Sequence, residues 1–126
     1  MGSTEKKKEA GLKVMNEMFG PDVTNEFTKK SGDFAGELIP MAVENVFGGV
    51  WARPGLTKRD RSLLTIAILI QARALDELRV HFRVAITNGL TKAELAEVLY
   101  HAAAYCGIPA AHSAREIALQ VLGPEQ

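Results

Sequence analysis

The stretch DELRVHFRVAITNGLTKAELAEVLYHAAAYC, residues 76–106, decides the fold. In its first half Leu78, Phe82, Ala85 and Ile86 recur at helical spacing with charged residues between them, the signature of an amphipathic helix. Gly89 follows Asn88 as a left-handed stop. Thr91 and Glu94 then satisfy a capping box, the threonine side chain accepting from the third helical amide and the glutamate reaching back to the amide of Thr91. Beyond it Leu95, Val98, Leu99, Ala102, Ala103 and Cys106 trace a second apolar stripe. Helices joined by so short a connection pack antiparallel, so the stretch reads as part of a helical bundle.

The same period extends outward. Upstream lies SLLTIAILIQA, residues 62–72, preceded by Thr57 as N-cap and Asp60 in the first turn. Because Leu63, Leu64, Ile66, Ile68, Leu69 and Ile70 point in all directions, this central helix is expected to be covered on nearly every side. Gly48, Gly49, Pro54 and Gly55 mark residues 48–56 as the clearest loop. Before the loop, helices are predicted over 5–18, 23–30 and 33–47, the last with a kink or break at Pro40. After Gly107 and Pro109 a last helix covers about 110–122. Strand alternation occurs almost nowhere, so the expected fold class is all-α: a compact bundle of about six helices in a single domain, 1–126, with residues 1–4 flexible or left over from cloning.

Composition narrows the function. At 126 residues and 47% hydrophobic content the chain can bury one core. Fifteen Lys and Arg balance 15 Asp and Glu, so no net field draws it to nucleic acid or to an anionic membrane. The uncharged run 62–72, at about 1.5 Å per residue, falls short of a hydrocarbon core of about 30 Å. MGSTEKKKEA has no apolar segment of the secretory type, and a cytoplasmic protein is expected. Cys106 is the only cysteine, which excludes an intrachain disulfide and any CxxC site, and its apolar helical position reads as packing. No glycine-rich phosphate loop and no GxSxG occurs.

Arg73, Glu77 and His81 recur every four residues and so fall on one stripe spanning roughly 80° of a helix. At that spacing Glu77 can orient the His81 imidazole and raise its proton affinity; a solvated surface pair satisfies the same spacing. His81 lacks the second histidine of an HExxH zinc site, and no other His or Cys cluster completes a metal site. His101 sits four residues after Glu97 and four before Tyr105, again a polar edge on an apolar helix. His112 follows PAA near the start of the last helix, where a solvent-facing role is the ordinary one. Arg53 lies between Trp51 and Pro54, while Arg59 and Arg61 occupy the first turns of the central helix. Cations there oppose the helix dipole, so a carboxylate partner or ligand is the expected reason for them.

Together FGGVWARPGLTKRDRSLLTIAIL and DELRVHFRVAITNGLTKAELAEVLYHAAAYCGIPAA resemble the carboxymuconolactone decarboxylase family. The matching patterns are W-x-R-P-G-L, R-S-L-x-T-I-A, E-L-x-x-H-x-R-x-A, N-G-x-T and A-x-Y-x-G-x-P-A-A, in order over residues 47–118. The resemblance implies an all-α homotrimer or homohexamer, with no metal and no organic cofactor. It implies a lyase of aromatic-compound catabolism that converts 4-carboxymuconolactone to the enol-lactone of 3-oxoadipate with loss of carbon dioxide. In such a reaction electron density moves through the unsaturated lactone toward its carbonyl oxygen, so a site needs a donor there, an acid to protonate carbon, and cations for two carboxylates. The expected catalytic residues are therefore Glu77, His81 and His101, and the expected substrate-binding residues Arg53, Arg61, Trp51, Arg73 and Tyr105.

Related alkylhydroperoxidases carry CxxC with three residues between it and the histidine; here Ala74 and Glu77 stand at the cysteine positions, which excludes a dithiol peroxidase. Two departures from the decarboxylase pattern stand out. Arg73 occupies the glycine position and Ala74 the arginine position of G-R-x-x-E-L, and His112 stands where asparagine is expected. A non-decarboxylating paralogue, either a lactone isomerase or an oligomeric protein that binds a small acid, is the alternative that these departures leave open.

Overall fold

A computed structural model describes residues 2–125; Met1, which heads the stretch expected to be flexible, and Gln126 lie outside the described residues. The chain divides into two compact units, one up to Leu56 and one from Thr57 onward. All regular structure among the described residues is helical.

In the N-terminal unit α1 (Ser3–Phe19) is followed by α2 (Pro21–Lys29), a single 3-10 turn (Lys30–Gly32) and α3 (Leu38–Met41), which runs on as π-helical turns over Ala42–Trp51. Ser3 and Thr4 are already helical. Pro21 opens α2, where its missing N–H would have had no partner in any case. Pro40 likewise falls in the first turn of α3, so it begins this helix instead of breaking it, and the predicted start at residue 33 moves to Leu38. Residues 33–37 form turns with Ala35 in the left-handed region, φ 53°.

The expected loop 48–56 also changes, because Gly48 and Gly49 belong to the π-helical segment, whose wider register ends with Ala52 N–H donating to the Phe47 carbonyl five residues back at 3.0 Å. Packing explains it. α1 lies against this segment so closely that a Cβ at Gly11 would strike the Val43 carbonyl and one at Gly48 the Lys7 carbonyl. Gly11, Val14, Met15, Met18 and Val43 are buried, and Phe19 meets Phe47 edge to face with ring centroids 5.5 Å apart. Backbone contact between helices outweighs the poor helix propensity of two glycines.

The C-terminal unit consists of α4 (Lys58–Ala72), α5 (Leu75–Thr87), α6 (Lys92–Cys106) and α7 (Ile108–Leu122). α4 packs on α5 and α6, and so does α7, while α5 and α6, expected to pack on each other across their short connection, share no comparable seam and occupy opposite corners, because each takes its apolar stripe to α4 and α7. Ile66, Ile70, Leu78, Phe82, Ala85, Leu95, Ala114 and Ile117 fill the core. Thr57 caps α4, accepting from Asp60 N–H at 3.1 Å. The capping box at α6 is complete, with Glu94 N–H to Thr91 Oγ1 at 3.1 Å and Thr91 N–H to Glu94 Oε1 at 3.0 Å. Asn88 donates to the buried Ser62 hydroxyl at 2.9 Å, tying the end of α5 to the second turn of α4.

Two expectations about burial fail. The central helix, α4, is not covered all round: Leu64 is 51% and Ile68 64% exposed. Ile86, placed on the apolar face of α5, is exposed as well, because the seam with α4 and α7 takes only Leu78, Phe82 and Ala85 from that stripe. Cys106 packs against the core as expected.

Candidate active site

α5 begins at Leu75, so Glu77 stands in its first turn and His81 one turn further along the same face. Glu77 is exposed, whereas His81 is largely withdrawn from water and its Nδ1 is buried. Burial pulls the His81 pKa below its ordinary value of 6.5, and the Glu77 carboxylate pushes it up by less. The carboxylate acts in the expected direction, and burial, which the spacing does not register, outweighs it. At neutral pH the imidazole is uncharged.

Arg73 does not share that helix face. It closes α4 in the left-handed conformation, φ 58°, with Arg73 N–H on the Ile70 carbonyl at 3.2 Å and Ala74 N–H on the Leu69 carbonyl at 3.0 Å. These two bonds make a Schellman stop. Gly89 ends α5 by the same pair of bonds, Gly89 N–H to Ile86 and Leu90 N–H to Ala85, in the residue type that suits it. The three-residue stripe therefore reduces to Glu77 and His81, because a left-handed residue and Ala74 intervene before α5 starts. The exposed Arg73 guanidinium reaches toward α7, 3.4 Å from Ser113 Oγ.

The other expected residues are distributed as follows. Arg61, in the second turn of α4, is half-buried and its Nε is shielded from solvent. Its neighbour Arg59 finds a protein carboxylate: it pairs with Glu94 of α6 and lies 3.6 Å from Asp60. The same Glu94 closes the capping box, and the Thr91 amide followed by Arg59 holds its carboxyl below the usual range. That coupling of two helix starts was not anticipated. His101 and Tyr105 stack on each other, centroids 5.2 Å apart and planes 24° from parallel, on the exposed side of α6. Since α6 stands at the corner opposite α5, the fold does not bring His101 to the Glu77–His81 pair. In the N-terminal unit Trp51 ends the π-helical segment as a buried residue and Arg53 follows it on an exposed turn. No cluster of three His, Cys, Asp or Glu suited to a metal occurs among the described residues. A groove of about 400 Å³ between α6 and α7 includes His112 and none of the eight expected site residues.

A neutral imidazole with a carboxylate one turn away can hold a proton at a defined place and release it when the local charge changes. An entering anion raises its proton affinity; an anion leaving lowers it.

Residues 39–120 match the family described as carboxymuconolactone decarboxylase. The chain is 38% identical over 117 residues to the 4-carboxymuconolactone decarboxylase of Acinetobacter baylyi, covering 93% of this chain and 87% of that protein. It is 38% identical over 99 residues to the nitrosuccinic acid decarboxylase of Metarhizium robertsii, covering 79% of this chain and 69% of that protein. An uncharacterized 15.0 kDa protein of Paracoccus denitrificans is 41% identical over 95 residues, 71% of each chain. With an all-helical fold and a family match that spans more than half of its length, the chain belongs to the carboxymuconolactone decarboxylase family.

Proposed function

We propose that this protein is a cofactor-independent decarboxylase of a small dicarboxylic acid, and that the substrate is 4-carboxymuconolactone, converted to the enol-lactone of 3-oxoadipate. The observation that carries the reading is the 38% identity to a 4-carboxymuconolactone decarboxylase across 93% of the chain, joined to the sheltered imidazole of His81 one turn from Glu77. The fungal relative acts on nitrosuccinic acid, whose nitro group is an electron acceptor as the lactone carbonyl is. Both named substrates combine a departing carboxylate on an activated carbon with a second carboxylate that stays.

In the proposed reaction the bond from ring carbon to carboxylate breaks, its electron pair moves through the ring double bond to the lactone oxygen, and carbon dioxide leaves. The resulting enolate takes one proton at carbon. His81 enters neutral, takes a proton from solvent as the dianionic substrate raises its affinity, and delivers that proton to carbon, while Glu77 holds the imidazole in place. Arg61 or Arg73 binds the carboxylate that remains. His101, stacked on Tyr105 at the opposite corner, has no step in this scheme within one chain. The exposed Leu64 and Ile68 of α4 support assembly into a homotrimer or homohexamer, which light scattering measures directly.

The test is incubation of the protein with freshly generated 4-carboxymuconolactone, following ultraviolet absorbance and released carbon dioxide. Turnover is expected, and Glu77→Gln and His81→Ala should each lower it by about tenfold or more with the helical content unchanged. Unaltered turnover in both variants overturns the site; no carbon dioxide from the native protein overturns the substrate.

A further inference from the structure

The groove between α6 and α7 lies wholly within the C-terminal unit and is separate from the Glu77–His81 pair. Its floor is apolar: Leu95, Leu99, Leu119 and Leu122 stand around Ala103 and Ala111, whose short side chains leave about 400 Å³ open. That volume suits a ligand of small-molecule size. The polar side chains along it are the exposed Tyr100 of α6, His112 and Arg115, one turn apart on α7, and Lys92 and Glu125 together at one end. Lys92, at one end, is already engaged by the carbonyls of Leu122 and Gly123 at 3.1 Å each.

Arg115 and His112 of α7 converge on one carboxylate that does not line the groove. Glu116 Oε1 lies 3.3 Å from Arg115 Nη1 and 3.8 Å from His112 Nε2. The side chains of His112 and Arg115 are 64% and 59% exposed, so they can turn from Glu116 to another carboxylate without disturbing the core. We infer that this groove binds a small apolar monocarboxylate, its hydrocarbon body on the alanine and leucine floor and its carboxylate exchanged for Glu116 at Arg115 and His112. Glu116 then acts as a competitor built into the chain. Such a site binds an acid without consuming it, because a carboxylate on a plain hydrocarbon body has no acceptor for the electron pair that loss of carbon dioxide would release.

The experiment uses 4-phenylbutanoate, with 4-phenylbutanol as its uncharged counterpart, titrated calorimetrically into the full chain. The acid should bind more tightly than the alcohol. Arg115→Gln should weaken it by about three- to fivefold, and Glu116→Gln should tighten it by about two- to threefold, because the competing carboxylate is gone. Ala103→Phe fills the floor and should abolish binding; should that variant unfold, the two surface variants decide alone. His81→Ala should leave the affinity unchanged, which separates this groove from the decarboxylation site. Equal affinity for acid and alcohol, or weaker binding in Glu116→Gln, overturns the inference. So does binding that vanishes as the chain assembles with itself, because the groove is then an interface between copies.

Discussion

Replacing Gly48 with alanine and, separately, its neighbour Gly49 with alanine should change stability in opposite senses. Both residues are helical, so propensity alone favours alanine at each by about 1 kcal/mol. At Gly48 the new methyl would stand 2.8 Å from the Lys7 carbonyl carbon and 3.2 Å from the Gly11 nitrogen, with the Lys7 oxygen closer still. These are backbone atoms of α1, which cannot swing aside as a side chain does, so the helices must part. Overpacking costs about 1–3 kcal/mol, and a rigid obstacle places this case at or above the upper end, leaving a net loss of about 2 kcal/mol. At Gly49 the nearest atom is the Glu44 oxygen at 3.3 Å, within its own helical segment, and the net change should lie between zero and a gain of about 1 kcal/mol. Urea unfolding followed by fluorescence is the assay. Trp51 is the only tryptophan and ends the same π-helical segment, so its signal reports the N-terminal unit. The midpoint should fall for Gly48→Ala and hold or rise for Gly49→Ala, with similar slopes. A Gly48→Ala protein as stable as the parent would refute the close approach of α1 to this segment.

Further outcomes follow from the C-terminal unit. Because His81 has a pKa below its unfolded value of 6.5, the unfolded chain takes up a proton first; stability is full above that value and declines as pH falls below it, until the folded pKa is passed. His81→Gln should flatten the decline below about pH 6.5, and in Glu77→Gln proton NMR should find the His81 pKa lower still, since the raising influence is removed. Arg73→Gly should raise stability by about 0.5–1 kcal/mol, as relief of left-handed strain exceeds the added freedom of the unfolded chain; a thermal melt lower than the parent's would contradict this. Thr91→Ala should lower stability by about 1 kcal/mol through loss of the cap on α6, measured by urea unfolding.

Local rules wrote the C-terminal unit plainly into the chain. The Thr91–Glu94 box, the Gly89 stop and the Leu78–Phe82–Ala85 stripe all involve residues within a few positions of one another, and each appears in the structure as read. What went astray depended on distant partners. Gly48 and Gly49 look like a loop until α1 is known to press on them. Leu64 and Ile68 look buried because hydrophobicity does not say on which side neighbours stand. In the site, the Glu77–His81 spacing was legible, but not the burial that reverses the balance at His81. Arg73 fitted a four-residue period across a chain reversal that the helical pattern does not register, and only its stand at a glycine position hinted at the left-handed turn. Arg59 gave a partial signal: a cation in a first turn needs a carboxylate, and Glu94 supplies it from α6.

The bonds at Lys92 bear on how the chain end behaves. Termini of helices ordinarily fray, but here the carbonyls of Leu122, Gly123 and Glu125 converge on one ammonium at the head of α6. Loosening the end of α7 together with the residues after it therefore means releasing three acceptors from a single clasp. Acylation of Lys92 would open it at one stroke, and amide hydrogen exchange would then quicken at the tail while the interior of α6 stayed protected.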